Sequence, residues 1–407
     1  MAKELKGNAI IGQGGGPTSV INRSLSGFVD RFIHYSDSNF KGIVYGALNG
    51  SRGMRDWNVI ALNDIDKYSW KRIRRTPGAF LGSTRDKPDE EYCARIFENF
   101  KKNNVRYFFY IGGNDSADTA EIIRKMSVRE QYEVLVFHIA KTVDNDLVKG
   151  DHMPGFPSAA KHLIYTIADL ISDAASLPGI IVVESMGRDA GYLTASGALI
   201  NDVISGVKID PLVYVPEVRI ELDTIAEHAL ERYGNQGIAV VVYSEGIKNN
   251  EGKRHKDLLE KLEKDPRGQV RLSASPVLIS ELQRRIKEKG DVRIIPHMMG
   301  YPQRADARTI SEVDKHESYH LGAFAVKLAL EDNISSGSVG IEAIRDPYQE
   351  SYVRFELTDV AQKARTLDPK FLYNGRINVL EYRNYLRPLL GSLDHENEIN
   401  PRLLKHS

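Results

Sequence analysis

Val134-Leu-Val-Phe-His-Ile-Ala-Lys141-Thr142-Val143-Asp144-Asn145-Asp146 joins a mostly apolar run, Val134 to Ile139, to six residues that hold one lysine and two carboxylates. The apolar part has the length of a buried strand, and a charged cluster at the carboxyl end of a strand is where an α/β protein places chemistry. Two acids two apart suit one proton acceptor and one metal ligand, and the adjacent ammonium suits an anionic substrate. Alone, the segment reads equally well as a solvated loop of mixed charge, so the rest of the chain must arbitrate.

The rest supports a large buried core. With 407 residues and 42% apolar content, the length favours two or three domains over one. Lys+Arg and Asp+Glu balance at 55 each, so no global field calls for nucleic acid or a basic partner, and polyanion binding would have to be local. The single cysteine, Cys93, excludes an intramolecular disulfide and a cysteine-based zinc cluster, which fits a reducing cytoplasm. The first residues lack the apolar core of a signal peptide, and no segment approaches the ~20 consecutive apolar residues of a membrane span. The expectation is a soluble, cytoplasmic protein with no membrane or nucleic-acid partner.

Similar apolar runs recur at Ala9 to Ile11, Gly42 to Tyr45, Tyr107 to Ile111, Gly179 to Val183, Ile238 to Tyr243 and Val292 to Ile295. Helical spacing of apolar residues lies between them, over Thr119 to Met126, Ala159 to Ser172 and Ser311 to Leu330. Strands alternating with helices predict parallel sheets built from βαβ units, with ligands at the carboxyl ends of the strands. Charged segments at Lys248 to Gly268 and Glu231 to Gly237 read as surface insertions or helix-loop elaborations, and the tail after Gly391 as a loosely held surface segment. A domain boundary is expected near Gly155-Phe156-Pro157.

Motifs sit at the predicted strand ends. Gly12-Gln-Gly14-Gly15-Gly16-Pro17-Thr18-Ser19 follows the first strand, where glycines admit a ligand close to the backbone and helix-start amides face an anion. Its spacing matches neither the dinucleotide fingerprint nor a P-loop, which leaves another kind of phosphate cradle or a tight packing turn. Gly112-Gly113-Asn114-Asp115-Ser116 repeats the pattern before a helix expected to start around Ser116 to Thr119, with Asp115 either a cap or a group that limits what fits beside it. Thr76 to Arg85 is a flexible loop ending in a guanidinium suited to phosphate. Glu184-Ser-Met186-Gly187-Arg188, Ser244-Glu245-Gly246 and Gly300-Tyr301-Pro-Gln-Arg304 offer polar groups for a hydroxylated, phosphorylated ligand.

In that order along the chain, these motifs resemble the phosphofructokinase family over roughly residues 8 to 330. Within the family the chain is similar to the pyrophosphate-dependent branch. ATP-using members carry glycine at the positions of Asp115 and Lys141, and histidine at the position of Tyr301. A side chain at Asp115 intrudes on nucleotide space, and an ammonium at Lys141 can hold the leaving phosphate.

The resemblance implies an α/β fold of two Rossmann-like domains with the active site in the interdomain cleft. Residues 1–155 plus about 304–350 would form the pyrophosphate domain, and 156–303 plus about 351–407 the fructose 6-phosphate domain. It implies Asp144 as general base, with Thr142 and Lys141 also catalytic. Gly15, Gly16, Arg85, Gly113, Asp115, Ser116 and Lys141 would bind pyrophosphate. Thr142, Asp144, Met186, Gly187, Arg188, Glu245, Tyr301 and Arg304 would bind the sugar phosphate, and Asn114 with Asp146 would hold Mg²⁺. A homo-oligomer is implied, a dimer ahead of a tetramer, without strong allosteric regulation. The chain departs from the family in having Asn114 for an aspartate, Pro17-Thr18-Ser19 in the first loop, and no arginine at Gly179 or Ile295. Arg293, two residues from Ile295 and expected on the same strand face, would be the substitute. The alternatives are an ATP-dependent enzyme, a pyrophosphate-dependent kinase of sedoheptulose 7-phosphate, a non-catalytic regulatory subunit, or a nicotinamide dehydrogenase; the last lacks its fingerprint.

Overall fold

Apolar runs flanked by glycine become the interior strands of two sheets in the computed structural model, which describes residues 5–34, 40–259, 276–332, 334–393 and 397–399. In chain order the strands are β1 (Asn8–Gln13), β2 (Val44–Ala47), β3 (Val59–Ala61), β4 (Val105–Gly112), β5 (Leu135–Ala140), β6 (Ile180–Ser185), β7 (Ile204–Ser205), β8 (Leu212–Tyr214), β9 (Ala239–Ser244), β10 (Ile294–Met298), β11 (Ser336–Arg345), β12 (Tyr348–Phe355), β13 (Leu372–Tyr373), β14 (Arg376–Ile377) and β15 (Asn397–Glu398). One sheet has seven strands in the order β12-β11-β5-β4-β1-β2-β3, the other four in the order β10-β6-β9-β8. The predicted α/β class with parallel sheets is the observed one: antiparallel pairing in these sheets is confined to the edges, at β2–β3 and β11–β12.

The chain divides into two compact units, 1–143 with 147–157 and 304–365, and 144–146 with 158–303 and 366–407. In the first unit the two-residue period of the strands sends side chains to opposite faces. Ala9, Ile11, Phe109 and Phe137 meet Leu25, Phe28 and Leu321 of helices Ile21–Val29 and Glu312–Leu330. Ile10, Phe108 and Val136 meet Ile96, Phe100 and Ile123 of helices Glu90–Lys102 and Asn114–Arg129. In the second unit Ile180, Val182 and Val241 pack under Ile225, Ala229, Leu282 and Ile286 of helices Leu222–Gln236 and Val277–Lys289.

Glu231 to Gly237 is the solvent-facing end of helix Leu222–Gln236, closed by Gly237 in the left-handed conformation. The charged insertion is not wholly surface: Lys256, on the short helix His255–Leu258, is 0% exposed, while 260–268 fall outside the described residues. In the tail after Gly391, most of which also lies outside them, Ile399 is buried and β15 pairs with β7. Among the described residues, no helix is long and apolar enough to cross a membrane.

Candidate active site

Three loops at the carboxyl ends of β1, β4 and β5 converge in the first unit. The Gly14 amide donates to the Ile111 carbonyl (2.8 Å) and the Gly15 amide to Thr84 (3.0 Å), while the Ser83 hydroxyl donates to Gly15 (2.6 Å). Those two amides are therefore engaged within the protein, and the helix after the loop begins only at Ile21. What the glycines supply instead is room for cations. The Lys141 ammonium, on a side chain 2% exposed, donates to the carbonyls of Gly14 (2.9 Å) and Gly16 (2.5 Å). A Cβ at Gly16 would lie 2.6 Å from an Arg304 guanidinium nitrogen.

The second loop is set by its neighbours. Lys141 N and the buried imidazole of His138 both bond the Gly112 carbonyl, at 3.0 and 2.9 Å, and the other ring nitrogen of His138 meets the Ser338 hydroxyl at 2.8 Å. Burial, more than the nearby Lys141 charge, pushes the His138 pKa down to about 4, so the ring is neutral and donates from Nε2 to the carbonyl. A Cβ on Gly112 would strike the Ser116 side chain at 1.9 Å, which explains the glycine. Helix Asn114–Arg129 starts earlier than its sequence implies, with Gly113 at the cap position and no side-chain cap. Asp115 is thus a first-turn residue, half exposed and 3.5 Å from the Lys87 ammonium. Ser116 N and Ala117 N both donate to the Gly113 carbonyl (3.1 Å each), and the positive end of the helix that begins here favours an anion. Arg85 is exposed and has no ion-pair partner among the described residues, next to an Asp86 fixed by Arg52 at 2.8 and 3.1 Å.

From Lys141 to Leu147 burial alternates: Lys141, Val143, Asn145 and Leu147 are buried, whereas Thr142, Asp144 and Asp146 are half-buried. One hydroxyl and two carboxylates thus face away from the core. The unit boundary runs through this segment, with Thr142 on the first unit and Asp144 to Asp146 on the second. No group of three or more His, Cys, Asp or Glu able to hold a metal occurs among the described residues. The donors present are oxygens in ones and twos, which suits a hard divalent cation that keeps waters and takes its remaining ligands from phosphates.

In the second unit the loops after β6, β9 and β10 are laced together. Glu245 N donates to Ser185 O (3.0 Å), Met299 N to Glu184 O (3.0 Å), the Ser244 hydroxyl to Gly187 O, and Met186 N to Gln303 Oε1 (3.2 Å). Gly187 has φ 126°, a conformation that favours glycine. Met186 and Glu245 are buried, Arg188 and Tyr301 exposed. Beneath them lies a group the sequence reading missed: Lys256 bonds Glu184 at 2.9 Å, and the Tyr243 hydroxyl donates to the same carboxylate at 3.0 Å. Burial raises the Glu184 pKa, and Lys256 and Tyr243 only partly oppose it. A lysine inside a charged insertion carries no sequence signal of burial.

Arg304 goes with the first unit, over the glycine loop, while Gln303 goes with the second. Arg293 is committed to Asp173 (2.9 Å) and the Leu177 carbonyl.

Parallel sheets ending in glycine loops lined by lysine and arginine, with a pair of carboxylates in the segment that follows β5, define a phosphoryl-transfer type of protein. The phosphofructokinase family profile matches residues 8–329, and the chain belongs to that family. It is 38% identical over 395 residues, 95% of each chain, to the pyrophosphate–fructose 6-phosphate 1-phosphotransferase of Rhodospirillum rubrum. It is 30% identical over 336 residues, 81% of this chain and 82% of the other, to a sulfofructose kinase of Alkalicoccus urumqiensis. The crystal structure of a pyrophosphate-dependent phosphofructokinase from Nitrosospira multiformis superposes with a TM-score of 0.80 at 29% identity, covering 98% and 97% of the two chains.

Proposed function

We infer that this chain transfers a phosphoryl group from pyrophosphate to the 1-hydroxyl of fructose 6-phosphate, giving fructose 1,6-bisphosphate and phosphate. The observation that carries this reading is Lys141, a buried ammonium held against the first glycine loop. It puts a fixed positive charge where a short, highly charged donor needs it. Asp115, in the first turn of its helix, adds a side chain where a nucleotide would have to pass.

In the proposed mechanism Lys141, Arg85 and the first-turn amides around Asp115 and Ser116 hold pyrophosphate, with Gly15, Gly16 and Gly113 leaving the space. Met186, Gly187, Arg188, Glu245 and Tyr301 hold the sugar, and Arg304 contacts a phosphate. Asp144 accepts the proton of the 1-hydroxyl as that oxygen forms its bond to the distal phosphorus and the bridging P–O bond breaks. Thr142 steadies the transferring group, and Lys141 balances charge on the departing phosphate. Asp146, with Asn114, would hold Mg²⁺, which supplies charge neutralisation on the phosphate oxygens when bound. By this reading the first unit is the donor domain, the second the sugar-phosphate domain, and the enzyme works in the cytoplasm as a homo-oligomer.

The match to a sulfofructose kinase keeps one second reading in play, a different six-carbon acceptor in the same sugar site. The test is initial-rate phosphorylation of fructose 6-phosphate and of sulfofructose with Mg²⁺, with pyrophosphate or ATP in parallel. Turnover of fructose 6-phosphate with pyrophosphate and not ATP is expected; ATP-only turnover would overturn the donor assignment, and preference for sulfofructose the acceptor.

A further inference from the structure

We propose that Tyr385 is a positioning residue for the Asp144-Asn145-Asp146 segment, acting through one hydrogen bond to Asn145. The inference rests on the assignment of Asp144 and Asp146 just given. Asn145 is 0% exposed in its side chain and has φ 58°. Asn is among the few residues with a Cβ that adopt this left-handed conformation at modest strain, and something must hold it there. Its Nδ2 donates to the Tyr385 hydroxyl at 2.8 Å, across 240 residues of sequence. Turning Asn145 inward is what leaves Asp144 and Asp146, on either side, facing the other way.

The tyrosine is itself immobilised. It lies on helix Val379–Leu386, is 8% exposed, and packs its ring against Phe371 at 5.1 Å, Tyr382 at 6.0 Å and Tyr192 at 6.1 Å between centroids. The Tyr382 hydroxyl donates to the Tyr192 carbonyl, and Leu367 N donates to Glu217 at 2.7 Å, so the segment carrying Tyr385 is pinned at several points. The phenol oxygen is therefore fixed before any substrate arrives. A misplacement of about 1 Å at a reacting group is enough to slow a reaction by orders of magnitude, so one such bond can matter to turnover. The C-terminal part of the chain, beyond the motifs of the family, thus takes part in the chemistry.

Tyr385→Phe deletes the hydroxyl and keeps the ring, and Asn145→Gly keeps the left-handed backbone and deletes the carboxamide. Each is expected to lower kcat about tenfold, the effect of one hydrogen bond, with KM for both substrates within about twofold. The double variant should be no slower than either single one; because the Asn145 carboxamide stays buried, Tyr385→Phe should also lose about 1–3 kcal/mol of stability, so kcat is read well below its melting temperature. Asp144→Ser serves as the control for the underlying assignment. Full turnover of Tyr385→Phe with an inactive Asp144→Ser, or additive losses in the double variant, overturns the positioning role and leaves the base in place. Retained turnover in Asp144→Ser overturns the base, and this inference falls with it. A fall in melting temperature or a rise in both KM values with kcat unchanged would mean the bond is structural only.

Discussion

Replacing Lys256 by methionine should destabilise the protein by about 3–5 kcal/mol, the range for breaking a buried ion pair from one side. The structure places this case at the severe end of what one lysine can do. Lys256 is 0% and Glu184 4% exposed, and their charged atoms are 2.9 Å apart. Tyr243 would remain as a donor at 3.0 Å, which satisfies one lone pair and no charge. At roughly 2–4 °C per kcal/mol for domains of 150–250 residues, the melting temperature should fall by on the order of 10 °C. The deficit should also depend on pH. The folded-state pKa of Glu184 already lies above its ordinary value because of burial, and losing Lys256 raises it further. A group so shifted binds its proton more readily in the folded state, so the variant recovers stability as pH falls and loses it as pH rises. Calorimetry or urea unfolding at pH 5.5, 7 and 8 reads both effects. The double variant Glu184→Gln/Lys256→Met should regain most of the loss, because neither charge is left buried. If Lys256→Met stays within about 1 kcal/mol of native at all three pH values, the buried-pair reasoning is wrong.

Three further expectations follow from the site and its surroundings. Asp115→Gly with Lys141→Gly should shift the ratio of pyrophosphate to ATP turnover toward ATP, and an unchanged ratio would remove the argument for the donor; because Lys141 also ties Gly14 and Gly16, the ratio is the proper readout and total activity is not. Arg85→Ala should raise the pyrophosphate KM about tenfold while leaving the melting temperature unchanged, as its side chain is exposed; a large loss of stability, or an unaltered KM, would contradict its role. His152, buried between Asp151 (2.8 Å) and Glu317 (2.6 Å), is pushed down by burial but more strongly up by the two carboxylates, to about 9. Its stabilisation should be complete below about pH 6.5 and disappear as pH climbs through 9, so His152→Gln should flatten the decline of melting temperature between pH 7 and 9.5.

The parts of this protein visible in its sequence are those where one residue type has one plausible environment. Val136 to Ile139 and Val240 to Val242 are buried on both strand faces and, His138 apart, apolar, and such runs stand out. Glycines followed by charge at the ends of those runs mark loops that approach a ligand. The edge pair β11–β12 went unread because its outer half alternates with exposed Glu342, Gln349 and Ser351, leaving no apolar run to find. Of the two readings open for Asp115, the cap falls away because the helix start is set by the Gly113 backbone and needs no side chain. Lys256 and Tyr385 were invisible for another reason. Their roles come from partners 72 and 240 residues away, and nothing local in a charged insertion or an aromatic-rich tail announces them.

The resting contacts of Lys141 bear on how this protein could be studied with reagents. An ammonium 2% exposed and engaged with two carbonyls is a poor nucleophile toward acylating probes, so lysine-labelling surveys of the native protein should pass over it and report exposed lysines such as Lys87 instead. Labelling of Lys141 would become a gauge of how often the first glycine loop opens. Phosphate-like anions that draw the ammonium away from Gly14 and Gly16 would register as a change in its reactivity before any turnover is measured.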